Sequence, residues 1–243
     1  MADYAKRDAV LSNIIAKALQ QSRGGYRSYL MTKKFGYRLI SKYFIGENVL
    51  ELGSDESPTT SILAGWSEKV TVVDMADKFS KKILKDKKLA NVKFIRSRWE
   101  DYTPDERYSD IVLTDGLEHV ENPIELLFMV KDWLSKNGRL HIIVPNALSV
   151  HRLLGAEMGY LETPYSFNRN DMESGHIRVY DVNLLKSDIK KAGLSILTIQ
   201  GVQFKPLTDG QLTKFPVEYI EALNSISHLF GGYCAEIYAC CVR

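Results

Sequence analysis

The chain has 243 residues, of which 45% are hydrophobic and 26% charged, with 16 Gly, 7 Pro and a formal net charge of +2. That length and apolar content suit one large domain with a full core, and they exclude disorder, low complexity and a collagen-like repeat. The near-neutral balance gives no reason to expect nucleic acid as a partner.

No run of about 18 apolar residues occurs, so no membrane span is expected. The opening MADYAKRDAV puts charges where a secretory leader needs an apolar stretch, so no secretion is expected. Cys234, Cys240 and Cys241 cluster late in the chain. Their spacing fits neither a disulfide framework nor a zinc pattern, and predicts buried thiols in a reduced, cytoplasmic compartment.

In chain order, Val10, Leu11, Ile14, Ile15, Ala18 and Leu19 recur at helical spacing, and Leu39, Ile40, Tyr43 and Phe44 mark a second helix. Between them lies RGGYRSYLM, with Gly24-Gly25 as the breaker. The period then changes to short apolar runs: 48–52, 69–74, 92–95, 110–113 and 139–144. Segments of helical length at 58–65, 77–88 and 123–136 separate several of them. A helix at 182–192 ends at Gly193, followed by strand-like runs 194–202 and 235–242. Val, Ile and Leu strands alternating with helices predict an α/β doubly wound, mostly parallel sheet. Residues 147–180 and 203–232 break the alternation, and insertions at strand ends of such sheets usually build the substrate site.

Glu51 and Gly53 stand at the carboxyl end of the first strand, followed by Ser54. A glycine there lets backbone approach a ligand, and the following helix start attracts negative groups. Asp74 ends the next strand, 21 residues after Gly53, where an acid can accept both hydroxyls of a ribose. Taken alone, the same residues also fit a plain tight turn with a solvated acid.

Glu51-Leu-Gly53, Asp74 and above all Leu117-Glu-His-Val120 resemble the class I S-adenosylmethionine-dependent methyltransferases, with the similarity running from about Asn48 to Asn146. Where that family carries further glycines after the first, this chain has Asp55 and Ser57. The resemblance implies a Rossmann-like seven-stranded sheet with an antiparallel last strand and helical lid segments. It also implies S-adenosyl-L-methionine as cofactor, with S-adenosyl-L-homocysteine as product. The implied organisation is a helical cap at 1–44, a donor-binding core at 45–146, a substrate lid at 147–181, and the rest of the core at 182–243 with its insertion at 203–232.

Residue by residue, the resemblance puts Gly53 and Ser54 along the methionine portion of the donor. Glu51 orients the loop or helps hold the ammonium, Asp74 takes the ribose, and Met75 packs on adenine. Arg98 stands where the family commonly has an acid for the adenine amino group, leaving that role to the Trp99 backbone, Glu100 or Asp101. Asp115, Gly116 and Leu117 border the methionine tail and sulfonium; Tyr26 or Tyr29, on a segment outside the strand–helix alternation, is expected to reach the same end. His119 is the general-base candidate, and Glu118 a helix-end or supporting residue. Pro145-Asn146 and Gly175-His-Ile-Arg-Val-Tyr180 resemble the turns bounding a mobile substrate region in one subgroup. Tyr29, Asn146, His151, His176 and Tyr180 are the acceptor-side candidates, and His176 and Tyr180 fit equally a role pinning the lid. His141 reads as structural, and His228 carries no signal. No metal is expected, because the acids and histidines of the third to fifth strand ends show no facial ligand set by spacing.

The expected function is methyl transfer to a hydroxyl or amine of a polar small molecule, such as a sugar or glycosylated metabolite. The expectation includes neither nucleic-acid nor membrane partners and leaves room for a homodimer. Two alternatives stand beside it. A nicotinamide-dependent oxidoreductase would need Gly-x-Gly-x-x-Gly near the start, and Tyr43 and Tyr102 have no Lys four residues on. A non-catalytic donor-binding protein would be compatible with the missing glycines.

Overall fold

The computed structural model describes residues 2–54, 58–76 and 87–243. The chain opens with α1 (Ala2–Gln21) and α2 (Tyr26–Ser41). The expected break between them narrows to residues 22–25. Tyr26–Met31 is helical because it carries Leu30 and Met31 onto the same buried stripe as Phe35, Tyr37 and Ile40.

Seven strands follow: β1 (Asn48–Leu52), β2 (Lys69–Asp74), β3 (Val92–Arg96), β4 (Tyr108–Thr114), β5 (Leu134–Pro145), β6 (Ser195–Val202) and β7 (Glu236–Val242). They form one sheet in the order β3-β2-β1-β4-β5-β7-β6. The first five pair in parallel, and β7 runs antiparallel to both β5 and β6. This is the expected doubly wound architecture. β5 starts earlier than its apolar run suggests: Leu134 already pairs with Tyr108, and the register shifts before Asp110 meets Arg139. The expected helix at 77–88 and the loop residues Asp55 and Ser57 fall largely or wholly outside the described residues.

The helices are α3 (Thr59–Trp66), α4 (Pro123–Trp133), α5 (Val150–Glu157), α6 (Arg169–Glu173), α7 (Val182–Lys191), α8 (Asp209–Leu212) and α9 (Val217–Ser225). Pro123 stands in the first turn of α4, where its missing N–H costs nothing. Asp181 caps α7 by accepting from the Leu184 N–H at 2.7 Å.

The central strands of the sheet are buried on both faces, while the edge strands β3 and β6 are partly exposed. Ile111 and Leu113 pack toward α4 and α7, while Val112 packs toward α1, α2 and α3. α2 lies directly on β5: a Cβ on Gly36 would come within 2.7 Å of Ile143 Cδ1. The three cysteines are free and buried, as expected.

His141, fully buried in β5, bonds Asp110 through Nε2 at 3.1 Å and the Tyr238 hydroxyl through Nδ1 at 3.0 Å. Asp110 also accepts the N–H groups of Ile45 and Gly46. This cluster fastens the entry into β1 to the sheet centre. Among the described residues, no helix is long and apolar enough to cross a membrane.

Candidate active site

The chain winds outward from β1 through β2 to β3, then returns to β4 on the other side of β1. The carboxyl ends of β1 and β4 therefore flank a topological switch point, the usual ligand crevice of such sheets. Gly53 leaves β1 with φ +86°, and its amide bonds the Val73 carbonyl at 3.0 Å. A Cβ there would sit 3.0 Å from Trp99 Cζ2, and one on Gly116 would sit 2.9 Å from Trp99 Cη2. The half-buried indole is itself fixed by Nε1–H donating to the Val73 carbonyl at 3.0 Å. Two glycines on adjacent strands thus let one aromatic plate lie across both backbones.

Asp74 closes the β2 side. One carboxylate oxygen accepts the Ser54 N–H at 2.6 Å and its hydroxyl at 3.1 Å, and the other accepts the Ala76 N–H at 2.7 Å. A carboxylate offers about four lone-pair directions, so three are used among the described residues and the longer Ser54 hydroxyl bond is exchangeable. Met75 is exposed beside it. Glu51 is buried and accepts from the Thr60 hydroxyl at 2.6 Å, which ties β1 to α3. Arg98 is exposed and pairs with Glu100 and Asp101, so all three face solvent at the rim.

At the β4 end, Asp115 adopts φ +48° and is ion-paired with Lys33 of α2. Its other oxygen is buried without a partner. Lys33 is 1% exposed, lies 5.0 Å from the Tyr29 ring centroid, and approaches Glu236 at 3.7 Å. Tyr26 stacks on Tyr29 at 5.6 Å between centroids. Sequence reasoning missed Lys33. The signal was a lysine on the buried stripe of α2, between Leu30, Tyr37 and Ile40.

Beyond Asp115, a short turn of helix carries Leu117–His119. The extended segment 176–179 docks onto it. The Ile177 N–H donates to the Glu118 carbonyl at 3.1 Å. The Arg178 guanidinium donates to the carbonyls of Leu117, Val120 and Glu121. This docking brings His176 against His119, ring centroids 4.8 Å apart. The Glu118 carboxylate is buried with both oxygens unbonded, and burial pushes its pKa up to about 7.

His119 Nδ1 lies 3.2 Å from the Gly175 carbonyl. A carbonyl only accepts, so Nδ1 carries the hydrogen and Nε2 keeps its lone pair. Burial lowers the His119 pKa, and this outweighs the Gly175 bond. His176 Nδ1 meets Asp171 at 3.2 Å, and Asp171 in turn accepts from Arg152 at 2.9 Å. Burial opposes the Asp171 charge, but the bonds from His176, Asn168 and Arg152 hold its pKa down at about 2.

A family model for the methyltransferase domain matches residues 6–199. The chain belongs to the methyltransferase-domain family. The N-methyltransferase NodS of Bradyrhizobium japonicum WM9, solved with S-adenosyl-L-homocysteine, shares the fold at TM-score 0.57 and 13% identity, over 98% of this chain and 97% of that one. An S-adenosylmethionine-dependent methyltransferase from Mesorhizobium loti aligns at TM-score 0.60 and 12% identity, over 87% and 100%. The CcbJ methyltransferase of Streptomyces caelestis aligns at TM-score 0.61 and 12% identity, over 86% and 93%. At such identities the likeness is one of fold. No curated protein matches the chain.

The remaining acceptor-side candidates of this methyltransferase divide. Asn146 is buried, its amide donating to the Gly232 and Cys234 carbonyls at 2.6 and 2.8 Å and accepting from the Leu148 N–H. Tyr180 is fully buried, its hydroxyl given to Asp188 at 3.2 Å. The Asn146 side chain thus ties the end of β5 to residues 232–234, and the Tyr180 hydroxyl ties its segment to α7, the pinning role that the sequence also allowed for Tyr180. His151 lines a cavity of about 470 Å³ between α5 and residues 205–211. Its pKa is pushed down to about 3, by burial first and by the Lys205 and Arg152 charges after it. Tyr29 and Lys33 do stand at Tyr-x-x-x-Lys spacing. The lysine is committed to Asp115 rather than to the tyrosine hydroxyl.

Proposed function

We propose that the protein transfers a methyl group from S-adenosyl-L-methionine to a hydroxyl or amine of a polar small molecule, such as a sugar or glycosylated metabolite. The observation that carries the reading is the crevice between β1 and β4. Its Trp99 plate, Asp74 and unpartnered Asp115 oxygen match an aromatic base, a ribose and an ammonium in that order. The buried Asp115 oxygen is a strong test of fit, because an acceptor left unpaired costs about 1–3 kcal/mol until a donor arrives. Asp115, Glu118 and Glu236 gather around Lys33, and this surplus of acids favours a cationic ligand.

In this reading Asp74 holds the ribose, exchanging its Ser54 hydroxyl bond for a sugar hydroxyl. Gly53 and Gly116 keep side chains out of the crevice, and Asp115 orients the ammonium with Lys33 balancing its charge. When bound, the donor supplies a methyl on positively charged sulfur, open to in-line displacement. The chain's task is then alignment and exclusion of water. Arg178 holds the 117–121 turn and the lid together above that point. His119 Nε2, exposed at the mouth with its lone pair free, is placed to take the proton of a hydroxyl acceptor. The cavity beside His151, linked to His176 through Arg152 and Asp171, gives the acceptor room.

The test is incubation with methyl-labelled S-adenosylmethionine and a panel of sugars, sugar nucleotides, amines and oligonucleotides, read by mass spectrometry. Label should enter a small polar acceptor. Label in oligonucleotides alone, or tight NADH binding without S-adenosylhomocysteine binding, would contradict the reading.

A further inference from the structure

We propose that Glu118, His119 and His176 form a binding site for one divalent first-row transition cation, such as Zn²⁺ or Mn²⁺. The site lies at the acceptor end of the crevice, and the inference rests on the methyl-transfer reading only for its role in catalysis. The three side chains each offer one ligand atom, and these atoms lie within 4.8 Å of one another. Bonds of about 2.1 Å put neighbouring ligands about 3.0–3.4 Å apart. Side-chain shifts on the order of 1 Å therefore close the set.

Three observations point to an ion rather than to a chance cluster. Both Glu118 oxygens are buried without a hydrogen bond, with His176 Nε2 4.0 Å from one of them. A buried carboxylate without hydrogen bonds is costly unless a cation faces it. Both histidines are also held from behind: His119 Nδ1 by the Gly175 carbonyl and His176 Nδ1 by Asp171, each at 3.2 Å. That outer arrangement fixes the tautomer and leaves both Nε2 lone pairs free, as around metal-bound imidazoles, with His176 Nε2 4.0 Å from Glu118. Finally, the cluster is assembled by dedicated contacts, the Arg178 clasp and the Ile177–Glu118 bond. Asp171 is itself anchored by Arg152 and by the α6 capping box with Asn168.

Two nitrogens and one oxygen suit a borderline ion better than Mg²⁺. His119 is exposed while Glu118 is buried, so the open coordination positions face the mouth. An acceptor hydroxyl seated there would release its proton to solvent. Its oxygen would bond the methyl carbon as the carbon–sulfur bond breaks and leaves its electron pair on sulfur. The ion would then lower the hydroxyl's pKa, and His119 would serve as ligand rather than base.

The experiment starts from the full chain stripped with a chelator and titrates Zn²⁺, Mn²⁺ and Mg²⁺ by calorimetry. One equivalent of Zn²⁺ or Mn²⁺ should bind, with Mg²⁺ weaker. Glu118→Gln and His176→Gln should each weaken binding at least about tenfold. His119→Asn, at an exposed position, keeps the test decisive if the buried variants fail to fold. Co²⁺ added to the stripped protein should give visible ligand-field absorption that is lost in His119→Asn. No stoichiometric binding, or equal binding by wild type and His119→Asn, overturns the site. S-adenosylhomocysteine titrated into the stripped protein separates the two claims, because donor binding should persist without the ion.

Discussion

The Trp99 plate can be tested by adding one methyl group at a time. Gly116 has an ordinary backbone, φ −130°, so Gly116→Ala is a purely steric change. Its Cβ would lie 2.6 Å from Leu113 Cδ1 and 2.9 Å from Trp99 Cη2, an overpacking that typically costs about 1–3 kcal/mol. Gly53→Ala adds a backbone penalty of about 1–2 kcal/mol for its positive φ to the 3.0 Å contact with Trp99 Cζ2. Trp99→Phe removes both ring atoms and the bond to the Val73 carbonyl, at about 1 kcal/mol for that bond. In the Trp99→Phe background the Gly116→Ala cost should shrink to its Leu113 share, giving a coupling of about 1 kcal/mol. Gly53→Ala should keep its backbone share. Urea denaturation of the four proteins of each cycle measures this, with S-adenosylhomocysteine affinity as a second readout. Strict additivity of Gly116→Ala and Trp99→Phe would refute the arrangement.

Three further outcomes are expected. The buried His141 has its pKa raised to about 9, burial opposing and Asp110 more than compensating. Its contribution of about 3 kcal/mol should be full below about pH 6.5 and lost as the pH rises through about 9; denaturation midpoints of wild type should fall across that window more than those of His141→Phe. Lys33→Met should leave Asp115 and Glu236 facing each other without their cation, and calorimetry should show changed donor affinity together with a loss of about 3 kcal/mol or more in stability. Arg178→Ala should unclasp the lid from the 117–121 turn, lowering kcat with little change in S-adenosylhomocysteine affinity, whereas an unchanged kcat would remove Arg178 from the positioning of His119 and His176.

The sheet was legible because its central strands are buried on both faces. Val49–Leu52, Val70–Val73 and Ile111–Leu113 read as apolar runs interrupted only by Glu51 and Thr71. The start of β5 was not, since Leu134 enters the sheet through a register shift that leaves no periodic mark. Around the site, residues on strand ends could be placed by position alone: Gly53, Asp74 and Asp115 all flank the crevice. Residues brought in from elsewhere could not. Lys33 arrives on a helix laid across β5, and His176 arrives because Arg178 clasps a turn 57 to 61 residues earlier. Spacing along the chain shows no metal set, because Glu118 and His119 become partners of His176 only through that docking. Asn146 looked available as a polar residue at a strand end, yet its side chain is consumed by the Gly232 and Cys234 carbonyls and the Leu148 N–H.

The most direct test of the central claim is calorimetric titration of S-adenosylhomocysteine into wild type and Asp74→Ala, each confirmed as folded. Saturable binding of one equivalent by wild type is expected. Loss of even one charge-assisted bond, worth about 1.5–3 kcal/mol, should weaken it in the variant by at least about 10- to 150-fold. No saturable binding by wild type, or equal affinity in the two proteins, would contradict a donor site at the β1–β4 crevice.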